Sequence, residues 1–310
     1  MQICAYLVSH HSEPASSPAA DESAAAQRLD AVLAAHGLTA VSTTSFAGPG
    51  YAGTRRALAQ AAPADGPLQL ERVRTALAAD LGSDARDGQL HALVPAALIE
   101  APRKLLVMDV DSTLIQQEVI ELLAAHAGRE AEVAAVTEAA MRGELDFAGS
   151  LHARVQTLAG LDAGVIETVR AAVVLSEGAR ELVEAFHAAG HLVGVVSGGF
   201  QQILTPLADG LGLDFARAND LGIADGVLTG TVSGEVVDAA TKEACLRRWA
   251  ADAGIPVEHT IAAGDGANDL LMVRAAGLGI AYRAKPALRA AADAAIDVPR
   301  LDIVRHLSGV

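Results

Sequence analysis

The stretch Leu105-Leu106-Val107-Met108-Asp109-Val110-Asp111-Ser112-Thr113 decides how the chain is read. Its short, uninterrupted apolar run predicts a strand over 104–108, buried on both faces as in a parallel sheet. Two aspartates leave its C-terminal end, where open α/β sheets place their ligands. In a regular strand both side chains would point the same way, whereas a turn just after the strand splits them. Carboxylates this close do not both ionise cheaply unless a cation joins them or one keeps its proton. Such a pair suits chemistry that needs one nucleophile and one acid. Solvated loop aspartates would look the same in isolation, so the neighbouring segments have to decide.

Downstream, the apolar run 191–196 leads into Ser197-Gly198-Gly199, and helical spacing follows over 200–207. Free N–H groups at a helix start, with no Cβ in the way, cradle phosphate; alone, an ordinary strand-to-helix turn explains the segment as well. A third strand, 260–263, ends in Gly264-Asp265-Gly266-Ala267-Asn268-Asp269. This compact, cysteine-free oxygen set suits Mg²⁺. Helix capping would account for Asn268 or Asp269 but leaves Asp265 without a task. Lys242 falls in the first turn of a helix, against the helix dipole, and that local conflict hints at a function. Further strands are predicted at 278–282 and 295–298, with a hairpin turn at Asp225-Gly226. Residues 116–174 are helical in pattern, broken at Gly128, Gly143 and Gly160, and read as a cap inserted over the sheet.

Upstream the pattern changes. A strand over 3–9, a polar run from Ser9 to Ser23, a helix over 27–36 and a strand over 38–46 lead to the turn Gly48-Pro49-Gly50. A weaker strand (54–61), a helix (70–81) and a closing strand (90–94) follow. The order β-α-β-β-α-β is that of a ferredoxin-like module, ending at a linker over 100–103. The expected organisation is therefore a small α+β module over 1–98 and an α/β parallel-sheet domain over 104–310, with a helical cap at about 116–174.

Composition agrees. At 310 residues the chain is long enough for two domains. It is 51% hydrophobic with only 3% aromatics, so its core must be aliphatic and alanine-rich. A net charge of −15 opposes non-specific binding to nucleic acid or anionic lipid, and a phosphorylated ligand would need a locally recruited cation. No stretch approaches the roughly 20 apolar residues of a membrane span, and a cytoplasmic location is expected. Cys4 and Cys245 form no paired motif and are expected to be reduced and buried.

In order and spacing, the four segments around Asp109, Ser197, Lys242 and Asp265 resemble the haloacid dehalogenase superfamily, and within it the branch that acts on O-phospho-L-serine. The resemblance covers residues 104–310. It implies a Rossmann-like α/β fold with a helical cap, Asp109 as nucleophile, Asp111 as general acid and base, and Mg²⁺ held by Asp109, the Asp111 carbonyl and Asp265, with Asp269 steadying the water shell. Lys242, Ser197, Gly198 and Asn268 are implied for the phosphate, Glu118 for a substrate ammonium and Arg154 for its carboxylate. Met141 and Phe147 fall where the family has apolar cap residues. The implied reaction is Mg²⁺-dependent hydrolysis of phosphoserine to serine and phosphate, the last step of serine biosynthesis. The first hundred residues resemble an ACT-type module, which pairs subunits or binds amino acids. The Ser9–Ser23 loop lacks the glycine pair that often holds a ligand there, so a homodimer contact or a structural role is at least as well supported as serine binding. Two other readings stay open: transfer from another phosphate monoester to water or an alcohol, and an amino-acid sensor without activity. Every polar position of the motif set is filled, which argues against the sensor.

Overall fold

The computed structural model describes residues 2–10, 19–60, 70–81, 89–141 and 144–310. The first module contains β1 (Ile3–His10), α1 (Ala19–Ala35), β2 (Leu38–Gly48), β3 (Tyr51–Gln60), α2 (Leu70–Leu81) and β4 (Gln89–Pro95). Its antiparallel sheet has the order β2-β3-β1-β4, the ferredoxin-like arrangement expected. Helix α1 begins eight residues before the expected start, because the alanine-rich run before Gln27 favours helix and Ala25 packs into the module's core. Much of the Ser9–Ser23 loop lies outside the described residues, as does the expected break at Gly143.

A short helix α3 (Ala96–Ile99) leads into β5 (Leu105–Met108). The cap follows as α4 (Val119–Ala127), α5 (Glu130–Met141), α6 (Phe147–Gln156) and α7 (Val165–Ala172). Gly128 and Gly160 break it with positive φ, as the pattern foretold. Two antiparallel stalks hold the cap, joined by an Ile115–Leu175 bridge and by hydrogen bonds from Gln116 N to Val174 O and from Ser176 N to Leu114 O. The chain continues as α8 (Ala179–Ala188), β6 (Leu192–Phe200), α9 (Gln201–Leu211), β7 (Phe215–Ala224), β8 (Val227–Ser233) and α10 (Ala239–Asp252). It closes with β9 (Thr260–Gly264), α11 (Leu270–Ala275), β10 (Leu278–Tyr282), α12 (Pro286–Arg289), β11 (Ala294–Ile296) and α13 (Ile303–Leu307).

The second sheet has the order β11-β10-β9-β5-β6-β7-β8 and is parallel except for the β7–β8 hairpin. From β5 the chain winds outward through β6 to β7, then returns to β9 and winds the other way. The switch of direction opens a crevice beside β5, at the strands' C-terminal ends. Alternation along β5 serves both layers: Leu106 and Met108 join the core beneath α8, while Leu105 and Val107 join the one under α10 and α11.

The two sheets share a core. Along β1, Ile3, Ala5 and Leu7 face α1 and α2, while Cys4, Tyr6 and Val8 enter the cluster that also holds Leu301, Ile303 and Leu307. Tyr51 donates its hydroxyl to Asp302 Oδ2 at 2.8 Å, and Phe46 stacks on His306 with centroids 4.3 Å apart. Cys4 and Cys245 are free and buried in different clusters. Among the described residues no helix is long and apolar enough to cross a membrane.

Candidate active site

The chain does not leave β5 straight. Asp109 remains extended, then Val110–Leu114 form one wide turn closed by a 2.9 Å bond from Ile115 N to Val110 O. The turn separates the two aspartates. Asp109 stays anchored to β9 through its N–H on Ala263 O (2.9 Å), and its Oδ1 accepts from Val110 N (2.7 Å) and from Lys242 Nζ (2.7 Å). Asp111 turns the other way, accepting from Val119 N at 3.0 Å through Oδ1 and from Ser197 Oγ at 3.2 Å through Oδ2.

Lys242 is fully buried. Asp238 caps α10 by accepting from Thr241 N (2.8 Å), so the lysine is free to turn inward and donate to Asp109 and to Asp269 Oδ1, both at 2.7 Å. Burial alone would lower its pKa, but the two carboxylates carry it above the ordinary lysine value. The helix-dipole conflict in the sequence thus marks a cation spent on buried carboxylates rather than on solvent.

After β9, Asp269 organises its own loop: Oδ2 accepts from Asp265 N (3.2 Å) and Gly266 N (3.0 Å). A Cβ on Gly264 would lie 2.4 Å from the Asp269 carboxyl carbon, so only glycine lets that carboxylate sit there. Oxygens of Asp109, Asp265 and Asp269 lie within 4.8 Å of one another. Three carboxylates against one lysine leave negative charge uncompensated, and an all-oxygen set fits a hard divalent cation. The Asp111 carboxylate is outside this triangle. Asn268 is half-buried on the same loop, its Oδ1 against Gly266.

The Ser197–Gly199 segment departs from the expected form. The helix starts at Gln201, and β6 runs on to Phe200 with a break in register after Val196. Gly199 N–H is not free, because it donates to Ser197 Oγ at 2.7 Å; the cradle expected from two open glycine N–H groups therefore loses one. The glycines instead provide room. A Cβ on Gly199 would meet Asp111 Oδ2 at 2.8 Å, and one on Gly198 would lie 3.1 Å from the Phe147 ring of the cap. Asn219, buried on β7, fixes the segment by donating to Gly198 O (2.9 Å) and accepting from Val237 N (2.8 Å). An asparagine inside an otherwise apolar strand was the available signal for it.

Glu118 and Arg154 roof the crevice. Arg154 Nε donates to Ser150 O at 3.3 Å, and its guanidinium lies in the field of Glu118, Asp111 and Glu121; burial nevertheless lowers its pKa. The Met141 side chain lies outside the described residues, whereas Phe147 closes on Gly198. The structure thus brings Asp109, Lys242, Asp265 and Asp269 together and pairs Asp111 with Ser197 beside them, while Glu118 and Arg154 act on Asp111 through their charge.

Burial raises the Asp109 carboxyl well above the carboxylate range, and the Asp269 charge adds to it. Burial and Glu118 push Asp111 to about 7; burial, Asp269 and Glu118 push Asp265 to about 6. A carboxyl whose pKa rises on folding contributes stability that is present below its unfolded pKa and is lost as pH climbs through the folded one. The metal-free protein should therefore melt at a lower temperature at pH 8 than at pH 5. Millimolar Mg²⁺ should recover much of the loss at pH 8 by binding the ionised set. Melts at constant ionic strength check this, and a trend rising with pH would refute the uncompensated charge.

A strand-end aspartate pair, a buried lysine, an acidic loop and a helical cap on a parallel sheet together define a class. The haloacid dehalogenase-like hydrolase model matches residues 106–274, and the chain belongs to that family. Within it, the chain is 58% identical over 243 residues to a phosphoserine phosphatase of Streptomyces coelicolor, covering 78% of this chain and 58% of that one. The chain thus spans little more than half the length of that relative. Among solved structures, a HAD family hydrolase from Salmonella enterica serovar Typhi superposes over 99% of this chain and 98% of its own, with TM-score 0.79 and 26% identity. A phosphoserine phosphatase carrying a phospho-aspartyl intermediate analogue matches 66% of this chain and 98% of its own, with TM-score 0.62 and 42% identity.

Proposed function

We propose that the protein hydrolyses O-phospho-L-serine to L-serine and phosphate, with Asp109 transiently phosphorylated and Mg²⁺ as cofactor, the closing step of serine biosynthesis. One observation carries the reading: Asp109, with Lys242 2.7 Å away, lies in the field of Asp111, which in turn feels Glu118 and Arg154 from the cap segments. A phosphate dianion with an ammonium and a carboxylate on one small frame matches that charge pattern.

Phosphoryl transfer is dominated by positioning and electrostatics. Asp109 attacks phosphorus as the serine oxygen leaves, splitting one hard displacement into two easier ones. Asp111, at about 7, holds a proton near neutrality and sits on the far side of the turn from the nucleophile. It donates that proton to the serine oxygen, then takes one from the water that releases phosphate from Asp109. Lys242, the Gly198 N–H and the Asn268 amide donate to the phosphate oxygens, and the Ser197 hydroxyl joins them by turning its one proton from Asp111 to the phosphate. Asp109, Asp265, Asp269 and the Asp111 carbonyl would hold a divalent cation, which would supply the charge that lets a dianion enter an acidic pocket. Glu118 takes the ammonium, and the planar fork of Arg154 takes the carboxylate. Phe147 against Gly198 excludes bulk water in the closed cap, and opening admits product exchange.

The test is Mg²⁺-dependent phosphate release from phosphoserine, phosphothreonine, phosphoethanolamine and sugar phosphates. Phosphoserine should lead by at least about tenfold in kcat/KM. Arg154→Ala should lower that value roughly 100-fold for phosphoserine and only a few-fold for phosphoethanolamine, which has no carboxylate. Equal losses would take Arg154 out of selectivity. A sugar phosphate in the lead would overturn the substrate, and phosphate appearing on an added alcohol would overturn hydrolysis in favour of transfer.

A further inference from the structure

Ser112 stands between Asp111 and the cap with its backbone in the left-handed region, at φ 56° and ψ 4°. Among the described residues only Asp225 and Arg283 share a positive φ without being glycine. For Asp225 the β7–β8 hairpin explains it. A side chain makes this conformation unfavourable, and it persists only where the surroundings impose it. Glycine would adopt it freely. What serine adds is a hydroxyl, and that hydroxyl donates to Glu118 Oε1 at 2.8 Å.

Two further bonds tie the same two segments together. Ser112 N–H donates to Gln117 O at 3.2 Å, and Asp111 accepts from Val119 N at 3.0 Å. Residues 111 and 112 thus grip residues 117–119 at the entry to the cap. Glu118 occupies the N-cap position of α4, yet its side chain does not cap the helix. Its carboxylate is turned instead to Ser112 and lies in the field of Asp111, Asp265 and the Arg154 guanidinium.

We propose that Ser112 is a positioning residue for the substrate's ammonium: its hydroxyl fixes one oxygen of Glu118 and leaves the other to face the ligand. The assignment rests on the phosphoserine reading and adds how the ammonium subsite is held in place before substrate arrives. Without the hydroxyl, Glu118 regains its rotamers and no oxygen of its carboxylate is held in place. The strained backbone is what brings Oγ within reach, so the strain and the hydrogen bond act as one device.

Two variants separate the components. Ser112→Gly removes the hydroxyl and relaxes the backbone; Ser112→Ala removes the hydroxyl and keeps the strain. Each is assayed on O-phospho-L-serine and on 3-phosphooxypropionate, the same ester without its amino group. The ratio of kcat/KM between the two esters should fall about tenfold in both variants, the loss of one charge-assisted hydrogen bond, with the change in KM rather than kcat. In the Glu118→Gln background, Ser112→Gly should change the ratio by less than about twofold, since the partner charge is already gone. An unchanged ratio overturns the proposal. So does a fall in the alanine variant alone, which assigns the loss to strain, or a full tenfold fall in the Glu118→Gln background. A wild-type protein that handles both esters equally well overturns the phosphoserine reading itself, before any variant is made.

Discussion

Asp109→Asn should abolish turnover, by at least about 10,000-fold, while the protein keeps its fold and melts no lower than the parent. Asp109 is buried, and its Oδ1 accepts from Val110 N and from Lys242 Nζ, both at 2.7 Å. An asparagine Oδ1 accepts from the same two donors at the same place, so the turn after β5 retains its bonds. The amide, however, has no carboxylate lone pair to offer phosphorus. Burial and Asp269 already push Asp109 towards its neutral form in the absence of a cation. The neutral amide therefore removes a repulsion, and above pH 6 the metal-free variant should be as stable as the parent or more so. Phosphate release with a thermal melt on the same preparation checks both halves. Turnover within a hundredfold of the parent would remove Asp109 as nucleophile. Lost turnover with a collapsed melt would leave its chemical role open, and Asp109→Glu would then separate the two, keeping the charge while displacing it by one methylene.

The sequence disclosed what depends on local pattern. Strand β5 was legible because both of its faces are apolar, and the crevice because Asp109 and Asp265 each follow such a strand. Lys242 was legible because a lysine in a first turn conflicts with the helix dipole. Less came through where the cause is long-range. Most of β7 escaped notice because Arg217, Asn219 and Asp220 interrupt its apolar pattern, although Asn219 spends its amide on Gly198 and Val237. The 251-residue separation between Tyr51 and Asp302 hides the core shared by the two sheets. The role of Ser112 is hidden in the sequence, because a left-handed φ is set by the turn around it and not by its side chain. The Ser197–Gly199 segment was legible as the end of an apolar strand, whereas the extension of β6 to Phe200 and the bond that takes up Gly199 N–H were not. That Ser197 Oγ would occupy Gly199 N–H follows from the register break in β6, which no spacing rule predicts.

Lys242→Met should be nearly as damaging to activity as Asp109→Asn, and unlike it should also destabilise the protein in a pH-dependent way. Lys242 is the cation between Asp109 and Asp269, fully buried and 2.7 Å from each. Methionine keeps much of the apolar stem and removes the charge, so packing changes little. Breaking one partner out of a buried ionic set costs roughly 3–5 kcal/mol, because the remaining carboxylates lose their counter-charge. The Asp109 carboxyl, already raised by burial and the Asp269 charge, then titrates higher still. The stability difference from the parent should be largest at pH 8 and shrink towards pH 5, where protons replace the ammonium. Activity should follow the opposite logic: a protonated Asp109 is no nucleophile, so acid that restores stability does not restore turnover. The loss, about 1,000-fold or more, reflects a donor missing where charge develops on the phosphoryl oxygens. Lys242→Arg should not rescue it, since a planar fork cannot occupy a space closed around a compact ammonium. Denaturant unfolding at pH 5 and pH 8, alongside phosphate release, separates the effects. A stability cost independent of pH would assign Lys242's contribution to its hydrocarbon stem, and a loss of activity below tenfold would remove it from the phosphate site.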